Sequence, residues 1–457
     1  MTDKIKEFKE HINGKDITVI GIGISNTPLI KFLLKHGANV TACDKKNKEA
    51  LGDIACELEA KGVTLNLGED YLKNIKADIV FKTPGLRYDV PELLALKEKG
   101  TYITSEMEEF MKICPAKIFA VTGSDGKTTT TTLIYTLLKE EGFTCHVGGN
   151  IGAPLLDRID DIKESDYVVL ELSSFQLHTI TTSPHVGVIT NLSPNHLDWH
   201  TDYAEYIDAK KSIMLYQGKD DVLVTNSSNE ESEKIGKNAK GIWRCFSSKK
   251  DAFVCLDGDY IICNDEKYLN INDIKIPGKH NVENYMAAIA ATYPIVSKET
   301  INKVAKDFGG VPHRIELVRT LDGVRYYNSS IDSSPNRTIN TLNVFNEPIV
   351  LIAGGKAKGL SYEAIGQPIL DKAKALILIG ETSPDIEKAV KDAKEKAQSE
   401  KELPIYYKET YEDVVTLAKE LATSGDVVLL SNASTSFDMF KNFEARGEYF
   451  KELVMKL

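Results

Sequence analysis

The stretch AVTGSDGKTT, residues 120–129, limits the folds open to this chain more than any other feature. The apolar run Ile118–Val121 predicts a buried strand, and apolar residues at helical spacing from Leu133 to Leu138 predict a helix after the loop. A glycine loop between a strand and a helix can hold a phosphate, because backbone N–H groups at the helix start and the helix dipole both favour an anion. The stretch therefore predicts a nucleotide site.

Lysine and threonine at the end of this loop supply the chemistry of the predicted site. Lys127 is expected to reach the outer phosphates, and the Thr128 hydroxyl is expected to ligate Mg²⁺. The spacing is shorter than the usual G-x-x-x-x-G-K-[ST], because Val121 stands where the first glycine belongs. The alternative is a plain glycine turn. The residues assigned to the nucleotide are Gly123, Ser124, Asp125, Gly126, Lys127, Thr128 and Thr129.

Composition narrows the class of protein. A chain of 457 residues is too long for one core, so we expect roughly two to four domains. With 56 Lys and Arg against 67 Asp and Glu, the net charge is −11, which argues against a general nucleic-acid binder. The seven cysteines are scattered without a C-x-x-C pair, which favours a reducing cytoplasm. The charged start and the lack of a long apolar run predict neither a signal peptide nor a membrane span.

The first third of the chain has the pattern of a βαβ unit. A buried strand from Ile17 ends at Gly21 and Gly23, and a second strand ends at Asp44. Asn26 stands where a dinucleotide fingerprint has its third glycine, so a nucleotide crevice and an ordinary tight turn both remain open. A further strand leads into the loop Thr83-Pro84-Gly85, and ligands bind at such carboxyl ends in parallel sheets.

Further candidate residues follow strands of the central third. Glu171 ends an apolar strand, where it could hold Mg²⁺ or cap the helix at Ser173 and Ser174. His196 follows another strand and is either a metal ligand or a structural histidine. The pair Lys210 and Lys211 lies on a predicted helix and would ordinarily be a solvated face. Residues 148–152 are expected to form a second glycine loop, and residues 221–276 look rich in strands.

The last third restarts the βα alternation after a linker at Val311–Arg314. Its final helix is expected to run from Phe437 to the end of the chain. Asn281 and Asn284 open an earlier Ala-rich helix, either on one face or as a cap and a surface residue. The α/β pattern thus occurs three times, which predicts three α/β domains.

These motifs together resemble the Mur ligase family, ATP-dependent amide-bond-forming enzymes of bacterial cell-wall synthesis. The resemblance spans essentially the whole chain and implies a Rossmann-like UDP-binding domain (residues 1–108), a central P-loop ATPase domain (109–311) and a Rossmann-like C-terminal domain (312–457). Its marks are Thr122 to Thr128, Glu171 to Ser174, Asn191 to His196, Lys210, His280 to Asn284, His313–Arg314 and Ser434 to Gly447.

The resemblance also implies roles for single residues. Lys127 would hold the γ-phosphate of ATP, and Thr128 and Glu171 would hold a first Mg²⁺. His196 would help hold a second Mg²⁺ with Lys210, which is carbamylated in this family and therefore needs a buried, neutral amine. The residues implied as catalytic are Lys127, His196, Lys210 and Arg314, and those implied to face ATP in addition to the loop are Asn281, Asn284 and Arg314.

Within the family, the chain most resembles the members that add D-glutamate to UDP-N-acetylmuramoyl-L-alanine through an acyl phosphate. Such a member would be a cytoplasmic monomer with these two small-molecule substrates, ATP and Mg²⁺. The residues expected at the UDP-linked substrate are Gly21, Gly23, Ile24, Ser25, Asp44, Thr83, Pro84, Gly85, Asn150 and Ser173. Those expected at D-glutamate follow strands of the third domain and are Ser333, Lys358, Ser436, Phe437 and Phe443.

Two positions depart from the family pattern. Ser329 stands where the family has an aspartate that contacts ATP, and Ile331 stands where a lysine is usual. Asp332, three residues after Ser329, is the available substitute carboxylate. The rivals to this reading are another family member with a different amino acid, a regulatory P-loop ATPase, and a sensor that binds NAD in the first domain.

Overall fold

The computed structural model describes residues 3–23, 25–249 and 251–457. These residues form three sheets of mostly parallel strands with helices between them, which confirms the predicted α/β class. They divide into two compact units, Met1–Asp273 with Val282–Val304, and Ile274–Asn281 with Ala305–Leu457. No helix in the described part of the chain is long and apolar enough to cross a membrane.

The first sheet belongs to the first unit and is parallel throughout its described strands. Its elements are α1 Asp3–Ile12, β1 Asp16–Ile20, α2 Asn26–Lys35, β2 Asn39–Asp44, α3 Lys48–Leu51, α4 Asp53–Ala60, β3 Thr64–Leu67, β4 Ile79–Lys82, α5 Pro91–Glu98, β5 Tyr102–Thr104 and α6 Glu106–Ile113. The strand order is β3-β2-β1-β4-β5. Because the order reverses beside β1, the loops after β1 and β4 border one crevice at the carboxyl edge.

The second sheet lies in the same unit and contains the phosphate loop. The elements of this region are β6 Lys117–Thr122, α7 Lys127–Glu140, β7 Cys145–Gly149, β8 Tyr167–Glu171, α8 Ser174–Leu177, β9 Val186–Ile189, α9 Tyr203–Leu215, β10 Val222–Asn226, α10 Glu230–Gly236, β11 Ile242–Ser247, β12 Val254–Asp257, β13 Tyr260–Cys263, β14 Glu266–Asn270, α11 Lys279–Thr292 and α12 Lys298–Asp307. The strand order is β14-β13-β12-β11-β10-β9-β6-β8-β7. Strand β6 therefore lies between β8 and β9, whose ends carry Glu171 and the loop to His196.

Helix α7 has the buried face that its spacing predicts. Leu133, Ile134, Leu137 and Leu138 are each 0% exposed. Burial of a large aliphatic side chain contributes about 1.5–3 kcal/mol, so this face holds the helix firmly behind the phosphate loop.

The third sheet lies in the second unit. Its elements are β15 Glu316–Leu321, β16 Val324–Asn328, α13 Pro335–Leu342, β17 Ile349–Ala353, α14 Gly366–Lys372, β18 Ala373–Ile379, α15 Ser383–Lys396, β19 Ile405–Lys408, α16 Tyr411–Leu421, β20 Val427–Leu430 and α17 Phe443–Lys456. The strand order is β15-β16-β20-β17-β18-β19, and β15 pairs antiparallel with β16. Strands β16, β20 and β17 are neighbours, so the loops after them share one edge.

Two local predictions are wrong. The last helix begins at Phe443 and not at Phe437, because Asn442 caps it by accepting a hydrogen bond from Ala445 N at 2.8 Å. Gly148 and Gly149 belong to strand β7 and not to a loop. Glycine is needed there because a Cβ on Gly149 would collide with the backbone of Glu171 on the neighbouring strand.

Candidate active site

The phosphate loop, residues 123–128, has a backbone that only glycine adopts easily. Gly126 has φ +78° and is the N-cap of α7, so the chain turns sharply into the helix at Lys127. A Cβ on Gly123 would collide with Thr190 Oγ1. The two glycines thus let the loop lie close to the end of β9 and leave the first N–H groups of α7 facing outward.

Hydrogen bonds from the neighbouring loop fix the phosphate loop in place. Ser124 N donates to Asn191 O at 2.9 Å, and Asp125 N donates to Asn191 Oδ1 at 2.9 Å. Thr190 Oγ1 donates to Asp125 O at 2.6 Å. Ser124 Oγ accepts from Ser193 N at 2.9 Å. The loop is therefore preorganised before any anion binds.

The ammonium group of Lys127 is the cation that the sequence predicts, and it lies against this loop. Its Nζ donates to Gly123 O at 3.0 Å and to Ser124 O at 2.9 Å. Thr128 and Thr129 follow as the next residues of α7, and both are half-buried. An anion held by the helix N-terminus would meet the Lys127 ammonium, so this arrangement fits a nucleotide phosphate.

Lys210 is buried beneath the same loop. It is 1% exposed, and its Nζ donates to Thr122 Oγ1 at 3.1 Å and to Gly123 O at 3.0 Å. Burial, reinforced by the positive charge of Lys127, lowers the pKa of Lys210 well below its ordinary value. Lys211, one residue on, faces solvent and bonds to Asp208. The alternative of a solvated lysine pair is therefore excluded for Lys210, and its lowered pKa favours the neutral amine that can react as a nucleophile.

Glu171 supplies a carboxylate oxygen with no partner among the described residues. The side chain is 2% exposed, and its Oε1 accepts a hydrogen bond from Asn150 Nδ2 at 3.0 Å. The other oxygen, Oε2, is buried and accepts no hydrogen bond from the described residues. Ser173 caps α8 with its own hydroxyl, so Glu171 is not the cap of that helix. A buried carboxylate oxygen without a donor fits a cation, and a hard oxygen ligand suits Mg²⁺.

His196 lies on the loop after β9, which neighbours β6. It is exposed, has φ +54°, and its ring centroid is 4.8 Å from that of Phe175. Desolvation of the imidazole by the surrounding residues, together with the positive charges of Lys127 and Lys210, lowers the pKa of His196. The imidazole is therefore neutral at pH 7, the form in which histidine binds metals.

The two asparagines of helix α11 have separate surroundings. Asn284 Oδ1 accepts from Thr130 Oγ1 at 3.2 Å, and a Cβ on Gly126 would lie 2.5 Å from Asn284 Oδ1. Asn284 thus touches the phosphate loop. Asn281 Nδ2 donates to Pro277 O at 2.5 Å, which ties the start of the helix to the preceding turn.

The first sheet brings its predicted residues to one edge. Gly21 has φ +93°, and a Cβ there would lie 3.0 Å from Thr83 Cβ, so the loops after β1 and β4 are in contact. Asp44 Oδ2 accepts from Ile22 N at 2.7 Å. Asn26 Nδ2 donates to Ile20 O and Gly21 O at 3.0 Å each. Of the other predicted residues at this edge, Pro84 is half-buried and three are exposed: Gly23, Ser25 and Gly85. Ile24 lies outside the described residues.

The third sheet also brings its predicted residues to one edge. The loops after β17 and β20 are joined because Lys356 N donates to Thr435 O at 2.9 Å. Ser436 follows on the second loop and is buried, while Lys358 on the first loop is exposed. Ser333 is half-buried on the loop after β16.

The two phenylalanines differ from each other. Phe437 is 69% exposed and lies before α17. The prediction that the last helix starts beside Ser436 and Phe437 is therefore wrong. Phe443 is the first residue of α17, is half-buried, and its ring packs edge-on against His313 at 6.1 Å. Arg314 is half-buried on the same turn as His313.

Arg446 is a buried cation that organises these loops. It is 1% exposed, and its guanidinium donates to Ser330 Oγ at 2.9 Å, Ser330 O at 2.8 Å and Ser434 O at 3.2 Å. The sequence offers no signal for this role, because an arginine in a terminal amphipathic helix is ordinarily exposed.

Asp332, the substitute that the sequence offers for the family aspartate, is buried at the third sheet. It is 4% exposed, and its Oδ2 accepts from Thr341 and Ser431 hydroxyls at 2.8 Å each. Burial raises the pKa of Asp332. Its carboxyl group is therefore committed to the packing of the third sheet.

Comparison with known proteins places this geometry in a family. Profiles match the Mur ligase MurD-like N-terminal domain at residues 15–105, the Mur ligase middle domain at 121–292 and the Mur ligase glutamate ligase domain at 313–433. The UDP-N-acetylmuramoylalanine–D-glutamate ligase of Ruminiclostridium cellulolyticum is 52% identical over 464 residues, which cover 100% of both chains. The enzyme of that name from Clostridium novyi is 50% identical, again over 100% of both.

Solved structures share the fold at low sequence identity. UDP-N-acetylmuramate-alanine ligase from Thermotoga maritima aligns with a TM-score of 0.58 at 20% identity, covering 97% of this chain and 99% of that one. MurF from Acinetobacter baumannii aligns at 0.57 and 16% identity, covering 97% and 92%. Since profiles of all three domains match in order and the relatives extend over the whole length, the chain belongs to the Mur ligase family.

Proposed function

We propose that the chain is an ATP-dependent ligase that joins D-glutamate to UDP-N-acetylmuramoyl-L-alanine in the synthesis of peptidoglycan precursors. The name shared by full-length relatives at 52% and 50% identity supports this activity. The observation that carries the chemistry is the phosphate loop with Lys210 buried beneath it, together with a Glu171 oxygen that has no hydrogen-bond partner in the described part of the chain. We expect a cytoplasmic, monomeric enzyme.

The reaction must turn a poor electrophile into a good one. The alanine carboxylate oxygen attacks the γ-phosphorus of ATP, the bond to the β-phosphate oxygen breaks, and an acyl phosphate and ADP result. The neutral amine of D-glutamate then attacks the acyl carbon, the nitrogen loses a proton, and the C–O bond to phosphate breaks as the tetrahedral intermediate collapses to the amide. Lys127 would hold the γ-phosphate and Arg314 would balance charge on the transferring group, so most of the catalysis is positioning and neutralisation.

The donors beneath the phosphate loop fit Mg²⁺. We assign Thr128 and Glu171 to one ion, and His196 and a carbamylated Lys210 to a second. When bound, the metal would neutralise phosphate charge and orient its oxygens. The lowered pKa of Lys210 makes its amine available for addition of CO₂, which turns a cation into an anionic oxygen ligand.

The edge of the first sheet is proposed to bind the UDP-linked substrate. Gly21 and Gly23 allow close backbone approach to a diphosphate, and Asp44, Ser25 and the loop Thr83–Gly85 border the same crevice. Ile24 is assigned to this substrate from the family resemblance alone. Asn26 fills the position of the third fingerprint glycine and bonds to the strand end, which disfavours a dinucleotide. Asn150 and Ser173 are assigned to the part of the substrate near the reacting carboxylate.

The edge of the third sheet is proposed to bind D-glutamate. The amino acid carries two carboxylates, so it needs a cation and hydroxyl donors. Lys358 offers the cation, Ser333 and Ser436 offer hydroxyls, and Phe437 and Phe443 offer apolar walls.

A product assay tests this function. UDP-N-acetylmuramoyl-L-alanine, ATP and Mg²⁺ are incubated with the chain and a panel of D- and L-amino acids, and products are identified by mass. We expect a product with D-glutamate and little with L-glutamate or uncharged D-amino acids. A clear preference for another amino acid would assign the chain a different step within the family.

A further inference from the structure

Arg87 and Glu205 connect the first sheet to the second within the first unit. Arg87 Nη2 donates to Glu205 Oε1 at 2.8 Å, and Arg87 Nη1 donates to Glu205 Oε2 at 3.1 Å. Arg87 Nη1 also donates to Trp199 O at 2.9 Å, and the guanidinium lies 5.0 Å from the centroid of the Trp199 ring. Both side chains of the pair are 21% exposed, so this bidentate contact is shielded from much of the solvent.

The same contacts hold the loop after β4 in one position. Trp199 Nε1 donates to Gly85 O at 3.0 Å, from the side of the second sheet. On the other side, the buried Lys82 donates from Nζ to Leu86 O at 3.2 Å. The loop that carries Thr83 and Gly85, assigned above to the UDP-linked substrate, is therefore braced from two sides.

Glu205 also holds the segment that leads from His196 to α9. Its Oε2 accepts from Thr201 N at 2.6 Å, and Trp199 N and His200 N donate to His196 O at 3.1 and 3.0 Å. Glu205 lies on α9 together with Lys210. One carboxylate thus connects the loop assigned to the UDP-linked substrate with both residues assigned to the second Mg²⁺.

A metal site is the competing explanation for this cluster. His178, His200 and Glu205 offer ligand atoms within 4.8 Å of one another, a composition that suits zinc. Both oxygens of Glu205, however, already accept hydrogen bonds from the Arg87 guanidinium. A divalent ion would have to displace that cation, so the cluster is better explained as the support of an ion pair than as a metal centre.

We propose that Arg87 and Glu205 are positioning residues that set the placement of the UDP-linked substrate relative to His196 and Lys210. This proposal rests on the proposed function. The pair aligns the acceptor carboxylate with the phosphoryl group, and neither residue is among those assigned above to ATP or D-glutamate. Misplacement of a reacting group by a fraction of an ångström lowers the rate without abolishing binding of the other substrates.

The test compares Arg87→Lys, which keeps the charge but loses the bidentate geometry, with Glu205→Gln and the matched control Asp89→Asn. Asp89 is the second partner of Arg87, and its side chain is 41% exposed against 21% for Glu205. We expect Arg87→Lys and Glu205→Gln to lower kcat by roughly 10- to 100-fold and to raise KM for the UDP-linked substrate. The KM values for ATP and D-glutamate should stay unchanged, and Asp89→Asn should resemble the wild type.

Three further results separate the possible outcomes. The double variant Arg87→Glu with Glu205→Arg exchanges the two charges. Its kcat should be higher than that of Arg87→Glu alone or of Glu205→Arg alone. Wild-type kinetics in Arg87→Lys, or equal rises in all three KM values with a lower melting temperature, would overturn the positioning role. If the wild type makes no D-glutamate product, the proposed function fails; the positioning role is then judged by calorimetry with the UDP-linked substrate, where unchanged affinity in Arg87→Lys refutes it.

Discussion

The phosphate-loop region of the second sheet and the glutamate edge, which is the edge of the third sheet that we propose binds D-glutamate, differ in how deeply their ionisable side chains are buried. Lys210 and Glu171 are 1% and 2% exposed beneath the phosphate loop, whereas Lys358 is exposed and Phe437 is 69% exposed at the glutamate edge. Burial of an ionisable group is costly unless the group is neutralised, paired or bound to a partner, so the first region fits the phosphate and the metal that we propose for it. The second region displays a solvated cation, which suits recognition of a soluble amino acid.

The largest effect should come from the cation of the phosphate loop. Lys127→Ala is expected to lower kcat by roughly 1,000-fold, because no other charge on the loop can meet the γ-phosphate. Circular dichroism and the melting temperature should stay close to the wild type. Lys139→Ala, at the exposed end of the same helix, is the matched control and should keep full activity. Near-normal turnover in folded Lys127→Ala would break the contrast between the two regions.

The next effect distinguishes a buried lysine from its exposed neighbour. Lys210→Ala should lose roughly 100-fold in kcat, since a metal ligand disappears, and a small carboxylic acid should restore part of the activity. Lys211→Ala should have little effect, because neighbouring helical residues point about 100° apart and Lys211 faces solvent. If Lys211→Ala is the damaging change, the assignment of the carbamate is wrong.

A smaller effect is expected at the glutamate edge. Lys358→Ala should raise KM for D-glutamate by roughly tenfold, the value of one charge-assisted hydrogen bond, with KM for ATP nearly unchanged. Lys356→Ala on the same loop is the control, because that side chain is paired with Glu381 at 2.6 Å. Equal changes in both KM values would mean that Lys358 does not recognise the amino acid.

How much the sequence predicts differs between the same two regions. At the phosphate loop the predicted strand, glycine turn and helix are confirmed, because glycine geometry, a helix start and an apolar face are local properties that neighbouring residues encode. At the glutamate edge the start of the last helix was misplaced. The apolar spacing of Phe437, Phe440 and Phe443 imitates a helix, and the capping role of Asn442 outweighs that pattern.

Contacts between distant residues are beyond the reach of local patterns. Arg87 and Glu205 are 118 positions apart, and neither belongs to a motif with a mechanism. Lys210 and Lys211 look equivalent in the sequence, and only the packing of α9 against the phosphate loop buries one of them. The roles of the site residues remain predictions until variants are measured.

The smallest effect concerns pH and the first unit. Burial lowers the pKa of His178 and of His200 below the ordinary value of 6.5. The unfolded chain therefore binds more protons than the folded chain as pH falls through about 6.5, so stability is present above that pH and declines below it. Thermal melts at about pH 5.5 and about pH 7.5 should show this decline, and His178→Gln should reduce it. A flat wild-type profile would contradict the lowered pKa values of these two histidines.

Steady-state phosphate release with single substrates omitted tests the central claim most directly. The chain is incubated with ATP and Mg²⁺, then with UDP-N-acetylmuramoyl-L-alanine or D-glutamate added singly, and then with both. The account predicts sustained release only when both are present, because phosphate leaves when the amine attacks the acyl phosphate. Sustained release from ATP alone, at a rate that neither substrate changes, would contradict a ligase and favour a regulatory ATPase.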